Sequence, residues 1–525
     1  MPPSPSPSLT RRLATGTLIV ALGLLLAACA PGVRDPDRPA QSALAAATSG
    51  AIAERVLPAL AAHPGQTGVR LVQSNLDAFA LRMLTAQRAA QSLDLQYYIW
   101  HDDLTGRLMA GELVRAADRG VRVRLLVDDM DVRDKDPVLQ TLDAHPSIEV
   151  RLFNPFASAS GGVRTVVEFL LRGSRLNRRM HNKAWIADGR VAIVGGRNIG
   201  DEYFGAAEET NFSDLDLVLA GKAVGDVAAA FDRYWNSPVA VRVGVLARSQ
   251  PLDGGLDTLR AAFDAHRAEA ADSPYVQHLK ASDELAAILE RTNAYDWSDD
   301  VVVLSDSPSK ADRLRQGEPT ETLAGLATRF MAAQRSVRLM SPYFVPGREG
   351  SRLLTDLAAR GVRVQVITNS LAATDVAAVH GGYAKYRKRL LRGGVALHEL
   401  KPGAAPRPLS AVGSSGASLH TKAAVIDDDY VFVGSFNVDL RSAWLNCEMG
   451  VMVRSDSLAA RFNALVDAHA NPATSYAVRL GPRGQLRWAH REAGVDEQLE
   501  REPHASFSRR TLAWLARILP LQRQL

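Results

Sequence analysis

One stretch of this chain occurs twice. Residues 181–188 (HNKAWIAD) return 239 positions later as residues 420–427 (HTKAAVID), so each copy reads H-x-K-x-x-x-x-D. Each copy is followed at the same offset by a turn of small residues ending in Asn: residues 195–198 (GGRN) and residues 434–437 (GSFN). A repeat of this kind fixes the number of folding units before composition is considered. It extends well beyond the motifs. Residues 92–98 (SLDLQYY) lead through a helical stretch to residues 119–127 (RGVRVRLLV). Residues 336–343 (SVRLMSPY) lead in the same way to residues 360–367 (RGVRVQVI), at offsets of 241 to 244.

Each half therefore reads strand, helix, glycine turn, strand, which is a βαβ unit with a parallel sheet. The apolar, β-branched runs at 121–127 and 362–367 suit strands buried on both faces. The expected fold class is α/β: two pseudo-symmetric βαβ lobes packed around one shared cleft, over residues 69–240 and 300–470. Helical periodicity at 256–263 and 285–289 makes residues 241–299 a helical connector.

The motif residues point to phosphate chemistry. On an extended strand His181 and Lys183 project from one face, as do His420 and Lys422. Four cation-capable groups facing one cleft suit a phosphodiester oxyanion, and the histidines add nucleophilic and acid–base capacity. Asn198, Asn437 and Ser435 are the further candidates for holding phosphate oxygens; position 196 is Gly where 435 is Ser, so only the second turn offers a hydroxyl. Asp188 and Asp427 complete the catalytic motifs. Yet seven extended residues span roughly 23 Å, and Asp188-Gly189 is a hairpin signal, so both aspartates read physically as turn residues. Each histidine still needs a carboxylate to fix its tautomer. Asp214 and Glu448, each leading into an apolar strand, are the candidates. Tyr98 and Tyr343 end the first strands of their halves and are candidates for lining the cleft. The remaining histidines lack such company and carry no assigned role.

The ends of the chain are different in kind. Arg11 and Arg12 precede an uncharged apolar run over residues 13–28, short for a membrane span and suited to a secretory signal. The run ends in LAAC with Cys29, a lipobox-like site for lipidation, which makes residues 1–28 a signal peptide. Residues 29–68 then follow as a tether, flexible where Pro, Ala, Ser and Asp dominate at 30–49. Lipidation of Cys29 leaves Cys447 as the one thiol, so no internal disulfide forms. No Cys/His cluster has zinc spacing, and neither metal nor cofactor is implied. The formal charge of +5 fits anionic phospholipid and nucleic acid equally. In the C-terminal extension, residues 471–525, apolar Leu512, Trp514, Leu515, Ile518 and Leu519 alternate with arginines. That pattern suits either a helix at a bilayer interface or a terminal helix docked on the fold.

Together the paired motifs, the G-G/S-x-N turns and the duplicated halves resemble the phospholipase D superfamily, from about residue 69 to the end. Longer strings at 177–183 (NRRMHNK), 194–204 (VGGRNIGDEYF), 383–387 (YAKYR) and 435–442 (SFNVDLRS) resemble its bacterial cardiolipin synthase C branch. The resemblance implies a phosphatidyltransferase acting on phospholipids in a membrane through a covalent phosphatidyl-histidine, with His181 the usual nucleophile. It implies no metal, no nucleic acid and no obligate protein partner. A hydrolase releasing phosphatidic acid shares that intermediate and is the alternative. A nuclease-type phosphodiesterase and a non-catalytic lipid-binding lipoprotein are the remaining readings, the last disfavoured because no motif residue is missing. With the lipobox, the expected location is a membrane-anchored lipoprotein facing the periplasm.

Overall fold

The computed structural model describes residues 33–132, 135–156, 176–246, 248–281, 295–312, 320–403 and 416–518. Cys29, the signal segment and the predicted helix at 285–289 lie outside the described residues. The first sheet is built from β1 (Thr67–Val72), β2 (Ser92–Tyr97), β3 (Arg122–Asp128), β4 (Ile148–Phe153), β5 (Ala184–Ala187), β6 (Val191–Gly195), β8 (Asp216–Gly221), β9 (Ala240–Arg242) and β10 (Asp296–Ser298), with β7 (Thr210–Ser213) standing apart. The second contains β11 (Val301–Ser305), β12 (Ser336–Met340), β13 (Arg363–Asn369), β14 (Ala396–Leu400), β16 (Ala423–Ile426), β17 (Tyr430–Gly434), β18 (Met449–Arg454), β19 (Ser475–Leu480), β20 (Leu486–Glu492) and β21 (Val495–Leu499), with β15 (Gly416–Leu419) apart.

The two sheets share one strand order. The first runs β10-β1-β8-β6-β5-β2-β3-β4-β9 and the second β11-β18-β17-β16-β12-β13-β14-β19-β20-β21. Eight strands correspond one to one, and in each lobe the parallel trio (β2-β3-β4, β12-β13-β14) is flanked by antiparallel strands. The parallel crossovers run through helices such as Leu104–Asp118 and Gly347–Ala359. Both of these end at a glycine in the left-handed region, Gly120 (φ 91°) and Gly361 (φ 89°), the conformation a helix stop of this type needs. The duplicated α/β architecture expected from the repeat is therefore what the chain forms.

An apolar core joins the lobes. The inner faces of both sheets share it with helices Lys222–Trp235 and Asp456–Ala470. The first of these buries Val224, Val227, Phe231, Tyr234 and Trp235 at helical spacing, the stripe that core-facing helices carry.

Three boundaries differ from the sequence reading. The stretch read as a flexible tether is docked from residue 33 on. Asp35 pairs with Arg242 (2.6 Å) and Arg190 holds the carbonyl of Ala47 (2.5 Å). Contacts so far apart in sequence are invisible to local composition. The connector contributes β10, which pairs antiparallel with β1. Residues 475–499, read as an extension, continue the second sheet through β19, β20 and β21. The C-terminal helix Phe507–Ile518 is docked on the fold, the second of the two readings offered for it. Ala513 and Ala516 are buried, and Gly381 allows helix Ala377–Ala384 to approach so closely that a Cβ there would meet the Ala513 carbonyl at 2.2 Å. Phe507 (86 % exposed), Trp514 and Ile518 nevertheless face outward.

The motif aspartates close the hairpins. Asp188 (φ 53°) and Gly189 (φ 60°) form the β5–β6 turn, and Asp427 (φ 54°) and Asp428 (φ 63°) the β16–β17 turn. Asp is among the few non-glycine residues that tolerate this region. The Asp188 carboxylate accepts the backbone N–H groups of Ala90, Gln91 and Ser92, and Asp427 accepts those of Gln334, Arg335 and Ser336. These contacts lie at the start of β2 and β12, whereas the motif histidines lie past the other end of those strands. Grouping Asp188 and Asp427 with the catalytic residues is therefore corrected: they fasten the hairpin to the sheet. Asp188→Asn should cost about 1–3 kcal/mol in urea unfolding, the range for buried donors left unsatisfied, with turnover per folded molecule retained. A hundredfold fall in turnover at unchanged stability would return Asp188 to catalysis.

Candidate active site

The histidine of each lobe is gripped by the other lobe. The segment before His181 bridges to that before Glu448: Met180 pairs with Cys447, and His181 N–H donates to the Cys447 carbonyl (2.8 Å). In the related crossing, β15 pairs parallel with β7, and His420 N–H donates to the Ser213 carbonyl (2.9 Å). The side chains follow the backbone. His181 Nδ1 donates to Glu448 Oε2 (2.9 Å) and lies 3.1 Å from the Ser435 carbonyl; His420 Nδ1 donates to Asp214 Oδ2 (2.5 Å). Acceptors at Nδ1 place the proton there, leaving each Nε2 with a lone pair. Asp214 and Glu448 thus occupy the orienting positions, but across the lobes. That crossing was not legible in the sequence.

The lysines turn back on their own strands. Lys183 Nζ donates to the His181 carbonyl (2.6 Å), and Lys422 Nζ donates to the His420 carbonyl (2.5 Å) while lying 3.0 Å from His420 Nε2. Both histidines, both lysines and both carboxylates are buried. Burial pulls His181 down to about 4, although Glu448 opposes it, and pulls His420 down as well. Burial likewise draws Lys422 to about 8 and Lys183 well below its usual range. Asp214 and Glu448 behave oppositely: burial raises them, but the neighbouring cations outweigh it and hold both low. A neutral imidazole beside an ionised carboxylate is the resting state of a nucleophile, and its acid–base partner must take up a proton at Nε2 before it can act as the acid.

Two of the three proposed phosphate ligands are tied internally. Ser435 Oγ donates to Glu448 Oε2 and accepts the Met449 N–H (3.0 Å), so its hydroxyl braces the carboxylate and its assignment to phosphate is corrected. Position 196 works differently: a Cβ there would meet Asp214 Oδ1 at 2.4 Å, so only glycine leaves room for that carboxylate. Asn198 donates to the Tyr203 hydroxyl (2.9 Å) and accepts from Ile99 N–H (3.3 Å). The buried Asn437 Oδ1 has no partner among the described residues. Aromatic walls flank the imidazoles: Tyr98 is edge-on to His181 (5.2 Å), and Phe212 stacks on His420 (4.9 Å) beside Tyr203 (5.2 Å). Tyr98 was legible as a strand end. Phe212 and Tyr203 were not, since nothing local marks them. Tyr343 donates to Asp375 (2.5 Å).

Residues 83–235 and 326–469 match the family model described as cardiolipin synthase, PLD-like domain. The chain belongs to that family. It is 41 % identical over 483 residues to cardiolipin synthase C of Escherichia coli, an alignment covering 90 % of this chain and 99 % of that protein. It is 24 % identical over 417 residues to a cardiolipin synthase of Staphylococcus aureus, covering 79 % of this chain and 69 % of that one. Among solved structures, phosphatidylserine synthase of Haemophilus influenzae shares the fold, with a TM-score of 0.56 at 13 % identity, over 90 % of this chain and 99 % of that one. The chain is thus an enzyme of the phospholipase D superfamily. Among the described residues no helix is long and apolar enough to cross a membrane.

Replacing either orienting carboxylate with its amide should lower turnover by about 10²–10⁴-fold, the scale seen when a buried carboxylate no longer fixes a histidine tautomer. Because Glu448 raises the His181 pKa, Glu448→Gln should also move the acid limb of kcat/KM to lower pH. An acid limb that moves upward would contradict the pairing.

Proposed function

We propose that this enzyme transfers a phosphatidyl group between phospholipid alcohols, forming cardiolipin from phosphatidylglycerol and a second phospholipid. His181 Nε2 attacks the donor phosphorus, and the P–O bond to the leaving alcohol breaks as His420, which first takes up a solvent proton at Nε2 when the anionic phosphate binds beside it, passes that proton to the alcohol oxygen. The covalent phosphatidyl-histidine is then attacked by the acceptor hydroxyl, whose proton returns to His420. Lys183 and Lys422, with Asn198 and Asn437, hold the non-bridging oxygens as charge builds on them. The observation that carries this reading is the pair of imidazoles, each tied at Nδ1 with its lone pair on Nε2, beside two buried lysines. The low His181 pKa supports its role as nucleophile, since it is neutral well below physiological pH. Lipidation at Cys29 would tether the enzyme to a membrane on the periplasmic side and raise the local concentration of lipid acceptors. The outward apolar face of the helix Phe507–Ile518 supports contact with a lipid surface.

Liposomes of phosphatidylglycerol, with and without phosphatidylethanolamine, should yield cardiolipin by mass spectrometry, and His181→Ala and His420→Ala should each abolish it. Phosphatidic acid without cardiolipin would make water the acceptor and replace this reading with a hydrolase. Affinity for the lipid phosphate should weaken as pH rises through about 8, where the free enzyme loses the Lys422 charge. Lys422→Arg, which stays charged throughout, should flatten that limb; a limb unchanged in Lys422→Arg would remove Lys422 from phosphate binding.

A further inference from the structure

The two lobes share a topology but not an interior. In the first lobe, helices Asn75–Arg88 and Leu104–Asp118 pack together over a filled core. Phe79 and Phe204 meet at 5.7 Å, Arg82 lies over the Phe204 ring and pairs with Asp216 (2.9 Å), and Trp185 reaches Thr85 (3.0 Å). Tyr275, from the connector helix Pro274–Ala281, closes this core against Phe79 (5.7 Å).

In the second lobe the corresponding helices, Glu321–Ala332 and Gly347–Ala359, border a cavity of about 1060 Å³. Small-ligand pockets commonly measure about 300–1,000 Å³. The register of the repeat shows which large side chains the second lobe has lost around this opening. Phe79 corresponds to Leu323, Arg82 to Leu326, Met83 to Ala327, Trp185 to Ala424 and Phe204 to Ala443. All five second-lobe residues line the cavity. Other lining positions run the other way, Ala86 to Phe330, Ile193 to Phe432, Arg197 to Phe436, Gly205 to Trp444 and Ala206 to Leu445, so the wall is reshaped as well as hollowed. Among the described residues the second lobe has no counterpart of the connector helix that supplies Tyr275.

At one end the cavity lining is continuous along the chain with site residues. Ala423 follows Lys422, Phe436 lies between Ser435 and Asn437, and Arg178 is three residues before His181. Asp439 also lines that end, but its carboxylate caps its own helix by accepting the Ser442 N–H (2.7 Å). The other walls are mainly apolar, with Arg348 and Glu349 in the first turn of helix Gly347–Ala359 as the charged exceptions, and reach the surface at Met331. A mainly apolar chamber whose lining runs on into the Lys422 and Asn437 segments is complementary to an amphiphile with an anionic head.

We propose that this cavity holds an acyl chain of the phospholipid whose phosphate lies between the two histidines. The proposal rests on the phosphatidyl-transfer reading for its substrate, and it makes the second lobe the one that grips the lipid. Each methylene moved from water into such a site is worth roughly fourfold in affinity. Two readouts test it in the full chain. The first is direct binding of cis-parinaric acid, a fluorescent C18 fatty acid, which needs no turnover. The second is kcat/KM along a series of monomeric short-chain phosphatidylglycerols. Wild type should bind the probe saturably and gain several-fold in kcat/KM with each lengthening of the chains. The double variant Ala327→Met/Ala443→Phe, which restores two first-lobe residues, should bind the probe at least tenfold more weakly and lose the chain-length slope. Turnover of the shortest lipid should stay within about twofold of wild type. Leu353→Trp narrows the cavity independently and should act alike, with thermal melting confirming the fold of each variant. Absent saturable binding in wild type, or unchanged binding and slope in a folded filled variant, would overturn the proposal. If wild type turns over no phospholipid, the transfer reading fails while the probe still decides the cavity.

Discussion

Everything in this molecule depends on the exchange of carboxylates between lobes. His181 is held by Glu448 and His420 by Asp214. Six ionisable groups are buried together, and a buried charge without its partner is strongly destabilising. Neither lobe alone contains a compensated set: the second supplies the anion for the first lobe's histidine, and the reverse. The apolar core shared by the inner faces of both sheets is what brings these groups within reach. The site is therefore a property of the interface, and the duplication is the means of making it.

Much of this was legible in the sequence, because the repeat carries its own register. The two sheets, the parallel pair in each lobe, the glycine helix stops and the motif hairpins follow from residues whose local pattern is unambiguous, whereas the third parallel strands, β4 and β14, were not read. Asp214 and Glu448 could be picked out as carboxylates leading into apolar strands. What remained hidden was of one kind. The crossing of those carboxylates, the docking of Asp35 on Arg242 and the pairing of β10 with β1 are contacts between residues far apart in the chain. No periodicity reports them. Ser435 was misread for a related reason. A hydroxyl in a phosphate-facing turn looks free until the Glu448 carboxylate beside it is seen.

The departures from symmetry are as informative as the symmetry. Gly196 leaves space that the shorter Asp214 carboxylate occupies, whereas Ser435 braces the longer Glu448. The same orientation of imidazole is reached by two solutions of different size. The interiors differ more strongly, packed around Phe79, Phe204 and Tyr275 in the first lobe and opened into a large cavity in the second. A duplicated fold can keep its chemistry common to both copies while each lobe's packing takes a separate task.

The crossed pairing is tested most directly by the ring nitrogens themselves. In ¹⁵N-histidine-labelled protein, both motif imidazoles should show protonated Nδ1 and unprotonated Nε2 at neutral pH. Asp214→Asn should shift the His420 signals and leave those of His181 in place, and Glu448→Gln should do the reverse. Each substitution perturbing the histidine of its own lobe instead would contradict the account.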